Sequence, residues 1–364
     1  MRITYLAAGH SIHTVRWVNA LADRGHEVSL VTMNPPLPLF PVSPSVDVRI
    51  LPVRGPAGYF LNAPFLRRIL RANTPDLLHA HYASGYGTLS RLAAFSPTIL
   101  SVWGSDVSGF PYESRRKEAL IRKNLKAADF LWATSPALKR QTERFVAPKR
   151  AIRITPFGVD CEQFRPGLAR PAEDQFVVGT VKGLEPAYGI DRLLRAFALL
   201  KGTPPRGMRP RLVIAGEGVL KHSLEQLARQ LGISDDTEFT GPVAYERVPT
   251  LLNSFSAFVA LSVNESFGVA VLEASACGLP VVVSDAGGLP EVVLDAKTGF
   301  VIPQGDPEKA FLALKRLGDD KQLASDLGNN GRRFVVDHYS WKDSVSIVEA
   351  AYDSIAKGAN VPRS

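Results

Sequence analysis

Apolar positions along the chain fall into two sets of alternating strand and helix patterns, separated by a short stretch rich in proline, glycine and alanine. Ile3–Ala8 is almost continuously apolar, as a strand covered on both faces would be. Ser11–Arg24 carries Val15, Val18, Leu21 and Ala22 at helical spacing, and Gly25 follows where that helix should stop. Val28–Thr32 is the next strand, so the opening predicts a doubly wound sheet that binds ligands at the carboxyl ends of its strands. Further strands are expected at Asp76–His79, Thr98–Val102, Phe130–Ala133 and Ile152–Thr155, with a helix over Leu120–Ala128. Five prolines between residues 34 and 47 predict an extended loop. The linker is expected at Gly167–Glu173. Beyond it the pattern restarts: strands at Phe176–Val181, Arg211–Ala215, Glu238–Phe239, Ala257–Leu261 and Gly299–Val301, helices at Leu193–Leu200 and Leu220–Leu231, and helices again from Asp306 to Lys357. The expected domains are residues 1–166, together with a last helix at 341–357, and residues 174–340.

The densest chemistry lies between Asn264 and Glu291. Val269, Ala270, Leu272, Ala274 and Ala276 predict an apolar helix stopped by Gly278-Leu279-Pro280, and Val281–Val283 a buried strand. Glu265 stands just before the helix and Glu273 about two turns into it. The amides of Phe267, Gly268, Val269 and Ala270 have no partner inside such a helix, and with its positive dipole end they form a place for a phosphate. Glu265 can then accept from sugar hydroxyls on one side of the phosphate, and Glu273 from a ribose on the other. The alternative is a capping Glu265 and a solvated Glu273, although an unpaired carboxylate in so apolar a helix would be costly.

Glu265-Ser-Phe-Gly268, Glu273-Ala274 and Gly278-Leu-Pro-Val-Val282 together resemble the E-x7-E signature of family 4 retaining glycosyltransferases. Pro156-Phe-Gly-Val-Asp160 with Phe164-Arg-Pro166 resembles the family's exit from its first domain, and Arg24-Gly-His-Glu-Val28 matches an early turn. The resemblance implies the α/β GT-B fold: two doubly wound, Rossmann-like parallel-sheet domains facing across a cleft, with the C-terminal helix crossing back to the first. It implies an acceptor-side first domain, a donor-side second domain binding a nucleotide-sugar, and retention at the anomeric carbon. Gly9 and His13 then lie in a donor-facing loop, with His10, His81 and Trp103 on the acceptor side. Family members often carry His where Trp103 stands, which leaves Trp103 to stack on a sugar and Asp106 as the polar candidate, either catalytic or capping the next loop. They also commonly carry Arg and Lys six residues apart where this chain has Lys182 and Tyr188. Lys182 can still neutralise a leaving phosphate, with Arg247 a candidate for the missing charge. Main chain around Val243 would meet the nucleotide base.

Composition narrows the remaining classes. With 364 residues and 45% hydrophobic content, two cores are expected. No apolar run reaches the length of a membrane span, the start is too short for a signal peptide, and the two cysteines, Cys161 and Cys277, are too far apart to make a metal or disulfide pattern; a cytoplasmic protein of bacterial type is expected. Net charge is +8, and it is uneven: residues 1–168 hold 22 Lys and Arg against 11 Asp and Glu, the remainder 21 against 24. Arg67, Arg68 and Arg71 follow Tyr59-Phe60-Leu61 and Phe65-Leu66; Arg115, Arg116, Lys117, Arg122, Lys123 and Lys126 form a second basic cluster. Such faces suit an anionic membrane surface or a phosphorylated acceptor, or are simply solvated. No nucleic-acid motif accompanies the charge. Gly9–Thr14 is not G-x-G-x-x-G, so a nicotinamide site is not indicated, and no Asp-x-Asp pair or metal-spaced cluster is present. The expected partners are a nucleotide-sugar and a glycan or lipid-linked acceptor, as in polysaccharide biosynthesis, with no cofactor and no metal. A non-catalytic relative binding nucleotide or glycan, and an epimerase on the same fold, are the alternatives.

Overall fold

The computed structural model describes residues 1–167, 169 and 171–358. The chain forms two compact units, Met1–Pro156 with the C-terminal segment from Ser344, and Phe157–Asp343. The division falls at Pro156, ahead of residue 166, where the sequence reading ended the first domain. The linker read at Gly167–Glu173 lies partly outside the described residues, since Leu168 and Arg170 are not among them.

The first unit is built on seven parallel strands: β1 (Arg2–Leu6), β2 (Glu27–Thr32), β3 (Asp47–Ile50), β4 (Leu77–His81), β5 (Thr98–Val102), β6 (Phe130–Ala133) and β7 (Arg153–Ile154), in the order β3-β2-β1-β4-β5-β6-β7. Ile3 pairs with Val28 on one side and with Leu77 on the other, which makes β1 central. The helix Ile12–Asp23 buries Val15, Val18 and Leu21, and Gly25, at φ 85°, ends the turn beyond it. Strand β3 was not anticipated. It is an edge strand with little burial that emerges straight from the proline-rich loop, so it lacks the apolar run by which a parallel strand is recognised. The helices Gly85–Ala93 and Pro136–Glu143 were also not anticipated.

The C-terminal helix Trp341–Ala356 brings the chain back into the first unit, where a hydrogen-bond chain fixes its register. The Tyr352 hydroxyl meets the Tyr5 hydroxyl at 2.6 Å and His79 Nδ1 at 2.5 Å, while His79 Nε2 meets Ser101 Oγ at 2.6 Å. Trp132 stacks on the Tyr352 ring. All five side chains are buried, so each polar atom in the chain depends on its neighbour.

The second unit has six parallel strands: β8 (Gln175–Val181), β9 (Arg209–Ala215), β10 (Thr237–Gly241), β11 (Ala257–Ala260), β12 (Val281–Ser284) and β13 (Phe300–Ile302), ordered β10-β9-β8-β11-β12-β13. Order reverses between β8 and β11, so the switch point of this sheet lies at their carboxyl ends. The Val281–Val283 run is fully buried, as its composition predicts. Gly179 interrupts β8 for a packing reason: the Phe255 ring lies where a Cβ would be, at 2.1 Å. Each unit closes its own core, around Leu6, Leu78, Leu100 and Ile121 in the first and Val178, Phe197, Leu212 and Val259 in the second.

Candidate active site

The two residues that leave the switch point of the second unit meet there. β8 ends at Val181, so Lys182 emerges beside its carboxyl end; Ala260 ends β11, and five residues later comes Glu265. Lys182 Nζ donates to Glu265 Oε2 in an ion pair of which only about a tenth of each side chain is exposed (11% and 10%). Ser262 Oγ lies 3.4 Å from the same oxygen. The ammonium also lies over the Tyr188 ring, 4.7 Å from its centroid. A nearly buried pair of this kind adds little net stability, because desolvation offsets the Coulomb attraction. The pair stands at the switch point, where sheets of this kind bind their ligands.

Glycines hold the loops around this pair. Gly287 has φ 50°, and a Cβ there would lie 1.9 Å from the Glu265 carbonyl oxygen. Gly288 N donates to that same oxygen at 2.9 Å. On the other side Val263 N donates to Ala187 O at 2.8 Å, tying the Glu265 loop to the turn after Lys182. The helix Val269–Ala276 starts behind Gly268 at φ 109° and presents its first amides there. Its other end is fixed by Arg332, whose guanidinium donates to Ala276 O and to Phe164 O.

The remaining donor-side candidates are placed as follows. Gly268 and Val269 form the helix start, but Phe267 turns its ring into the core against Phe157 and Tyr339, so only its main chain is available. Glu273 is 7% exposed in the second turn; burial, with the Glu273 charge adding to it, raises the thiol of Cys277 to about 12. Val243 is half-buried beyond β10, and Arg247 is exposed in the short turn Tyr245–Arg247. Arg247 follows β10, the edge strand of the sheet, on the connection that crosses to β11.

The first unit gathers its candidates at its own switch point, after β1, β4 and β5. Gly9 N donates to Thr32 Oγ1, and a Cβ on Gly9 would lie 2.5 Å from Asn34 O; the glycine is required by the proline-rich loop packed on it. His10 is exposed. His13 is half-buried, and desolvation, with Arg16 beside it, lowers its pKa to about 4. Its ring meets Trp103 edge-on at 6.0 Å.

Two expectations are corrected here. Strand β4 runs on to His81, two residues beyond the expected end, and both histidines are buried, 3% and 2% exposed, so His81 does not stand open on the acceptor side. His81 faces Tyr5, His79 and Trp103, and burial, with the neighbouring histidines, holds its pKa well below the ordinary value. An imidazole packed in this way is a core group, not an acceptor contact. Trp103 is likewise 8% exposed, its ring centroid 4.1 Å from that of His81 in a tilted pair and 6.0 and 5.7 Å from those of His13 and Tyr82, so it packs among aromatic rings rather than standing open to a sugar. Asp106 takes the capping alternative. Its buried carboxylate accepts from Ala83 N at 2.8 Å, Gly104 N at 2.8 Å and Trp103 N at 3.2 Å, clasping the loops after β4 and β5 together. Desolvation raises its pKa against the lowering effect of those bonds.

The sequence reading gave Ser262 and the Gly287-Gly288 pair no role at the site. The double glycine is a signal for close backbone approach; Ser262 carries none.

Two family models match the chain, one described as glycosyl transferases group 1 over residues 164–334 and one as glycosyl transferase 4-like over residues 2–135. A D-inositol 3-phosphate glycosyltransferase of Geodermatophilus obscurus is 31% identical across 96% of this chain and 86% of its own length. The chain belongs to glycosyltransferase family 4. Another relative, N-acetyl-alpha-D-glucosaminyl L-malate synthase of Bacillus anthracis, is 25% identical across 93% of this chain and 91% of the relative. Among solved structures, the sucrose-phosphate synthase of Thermosynechococcus elongatus superposes with TM-score 0.84 at 21% identity, covering 99% of this chain and all of that one. HepE of Anabaena in complex with UDP gives 0.80 at 17% identity, covering 97% and 100%. At such identities these likenesses show the fold, which is GT-B. No helix of this glycosyltransferase is long and apolar enough, among the described residues, to cross a membrane.

Proposed function

We propose that this glycosyltransferase moves a hexosyl-type sugar from a nucleoside-diphosphate sugar to an acceptor, with retention and without a metal. The Lys182–Glu265 pair at the switch point of the second unit carries the reading. Lys182 and the amides at the start of Val269–Ala276 meet the diphosphate. Charge grows on that leaving group as the glycosidic bond breaks, so donors aimed at it stabilise the transition state more than the ground state. Glu265 accepts from the sugar's hydroxyls and orients it, and Glu273 holds the ribose. The acceptor's hydroxyl attacks from the face the diphosphate leaves, and a donor phosphate oxygen takes its proton. UDP in the HepE structure supports a nucleotide donor, and the inositol phosphate named in the Geodermatophilus relative supports a polar, anionic class of acceptor. Lipid-linked and polysaccharide intermediates belong to that class.

The test is a thermal-shift panel of UDP, GDP, ADP and CMP, each with Mg²⁺ and with EDTA. A ligand that binds only the folded protein raises Tm according to RT ln(1 + [L]/Kd). One diphosphate should give a shift indifferent to EDTA; no shift with any of them refutes the donor site.

We also propose a cytoplasmic protein making peripheral contact with an anionic membrane. Phe60, Leu61 and Phe65 are exposed beside the exposed Arg67, Arg68 and Arg71. The second basic cluster is weaker support, because Lys117 pairs with Glu113 and Arg122 with Glu118. Co-sedimentation with vesicles containing phosphatidylglycerol should be lost in Phe65→Ser with Arg68→Glu; unchanged sedimentation refutes the contact.

A further inference from the structure

We propose that Tyr188 is a positioning residue: its ring is the seat that keeps the Lys182 ammonium aimed when Glu265 turns to the sugar. This rests on the donor reading above. In the resting site Lys182 touches two partners, the Glu265 carboxylate and the Tyr188 ring face. Their consequences for a bound phosphate differ. A carboxylate cancels the ammonium's charge, whereas an aromatic face attracts the cation through its quadrupole and leaves that charge intact. Once Glu265 accepts from sugar hydroxyls, only the ring still restrains the four-carbon stem of Lys182, which otherwise recovers its rotamer freedom.

The backbone is built to hold the ring there. Gly189 has φ 63°, and a Cβ on it would lie 2.0 Å from Leu261 O, so the turn that carries Tyr188 is wedged against the end of β11. Tyr188 N donates to Glu185 O at 3.1 Å, and Ala187 O accepts from Val263 N at 2.8 Å. At Gly183, next to Lys182, a Cβ would lie 3.3 Å from Tyr188 Cε2, tight enough that a larger residue would press on the ring. The turn therefore fixes the ring relative to both Lys182 and the Glu265 loop.

The experiment uses the full chain and two readouts. In the ligand-free protein with ¹³C-labelled lysine, the ring current should shift the Lys182 ε-methylene resonance upfield; the signal is identified by its absence in Lys182→Gln. The shift should persist in Tyr188→Phe and vanish in Tyr188→Leu. For turnover of the nucleotide-sugar selected by the thermal-shift panel, Tyr188→Leu should lower kcat by about 5- to 30-fold, the range a partly desolvated cation–π contact supports, with KM changed less. Tyr188→Phe should keep most of the activity. In the Lys182→Gln background, Tyr188→Leu should cost less than about twofold, since the seat then has nothing to hold. An equal loss in both backgrounds overturns the proposal, because the ring would then act on the loop rather than through Lys182. Phe behaving like Leu assigns the effect to the hydroxyl and also overturns it. Absence of the upfield shift in the wild-type protein overturns it without any substrate. A wild-type protein that shows the shift but turns over no nucleotide-sugar refutes the donor reading while leaving the seat in place.

Discussion

Glu265→Gln should tighten the binding of a bare nucleoside diphosphate while it reduces sugar transfer. The substitution keeps the side chain's shape and removes its charge. In the wild-type resting site the ammonium of Lys182 is already neutralised by Glu265, and both groups are about a tenth exposed. A phosphate oxygen that takes Lys182 as its partner lies about two hydrogen-bond lengths, roughly 5–6 Å, from that carboxylate. At an effective dielectric of about 20, repulsion between unit charges at that distance is about 3 kcal/mol. Relieving it should lower Kd by about tenfold to a hundredfold, the lower figure applying if water enters the emptied site. The sugar gains nothing, because an amide accepts hydroxyl hydrogen bonds more weakly than a carboxylate. Titration calorimetry with the nucleoside diphosphate selected by the thermal-shift panel measures the first effect, and initial rates with the sugar nucleotide measure the second. The ligand-free variant should also melt lower, since a nearly buried ammonium loses its counter-charge. Weaker diphosphate binding in Glu265→Gln would refute the idea that the anion and Glu265 compete for Lys182.

Three further outcomes follow from the packing. Tyr352→Phe leaves the ring on Trp132 but strips the Tyr5 hydroxyl and His79 Nδ1 of their shared partner, so urea unfolding followed by Trp fluorescence should show a loss of about 2–4 kcal/mol; a loss under 1 would mean that the hydrogen-bond chain does not fix the helix. His79, held by desolvation at about 3, stays neutral in the folded protein while the unfolded chain takes up a proton near 6.5. Stability is therefore full above about pH 6.5 and falls as pH drops towards 3, by about 2 kcal/mol at pH 5 from this group alone, with His13 and His81 acting in the same direction; unchanged urea midpoints between pH 7.5 and 5 would contradict this. Gly287→Ala places a methyl 1.9 Å from Glu265 O at φ 50°, and should lower Tm and weaken nucleotide binding together; a variant that binds normally would show that the loop can relax without moving Glu265.

The limits of the sequence reading are physical ones. Both sheets, their parallel sense and the buried Val281–Val283 strand were legible because a parallel strand covered on both faces must be apolar throughout. Strand β3 breaks that rule at a sheet edge, and its pattern announces no strand. The histidines of β4 were misjudged for a related reason. In His79-Ala80-His81 the two imidazoles alternate onto one face, and polar side chains read as the end of a strand. What makes them tolerable inside is in part the Tyr352 hydroxyl on His79, supplied from 273 residues further along the chain, where no local pattern can announce it.

Asp106 and Tyr188 mark a different boundary. Sequence places Asp106 among polar candidates after a strand, but its role is set by three backbone amides from two loops, and main-chain donors leave no trace in residue type. At position 188 the pattern shows a missing positive charge and invites a search for another cation, such as Arg247. The geometry shows what the residue at 188 does contact: its ring lies against the Lys182 ammonium at the switch point. A site can aim its cation provided that what holds the ammonium does not neutralise it. An aromatic face meets that condition and a carboxylate does not.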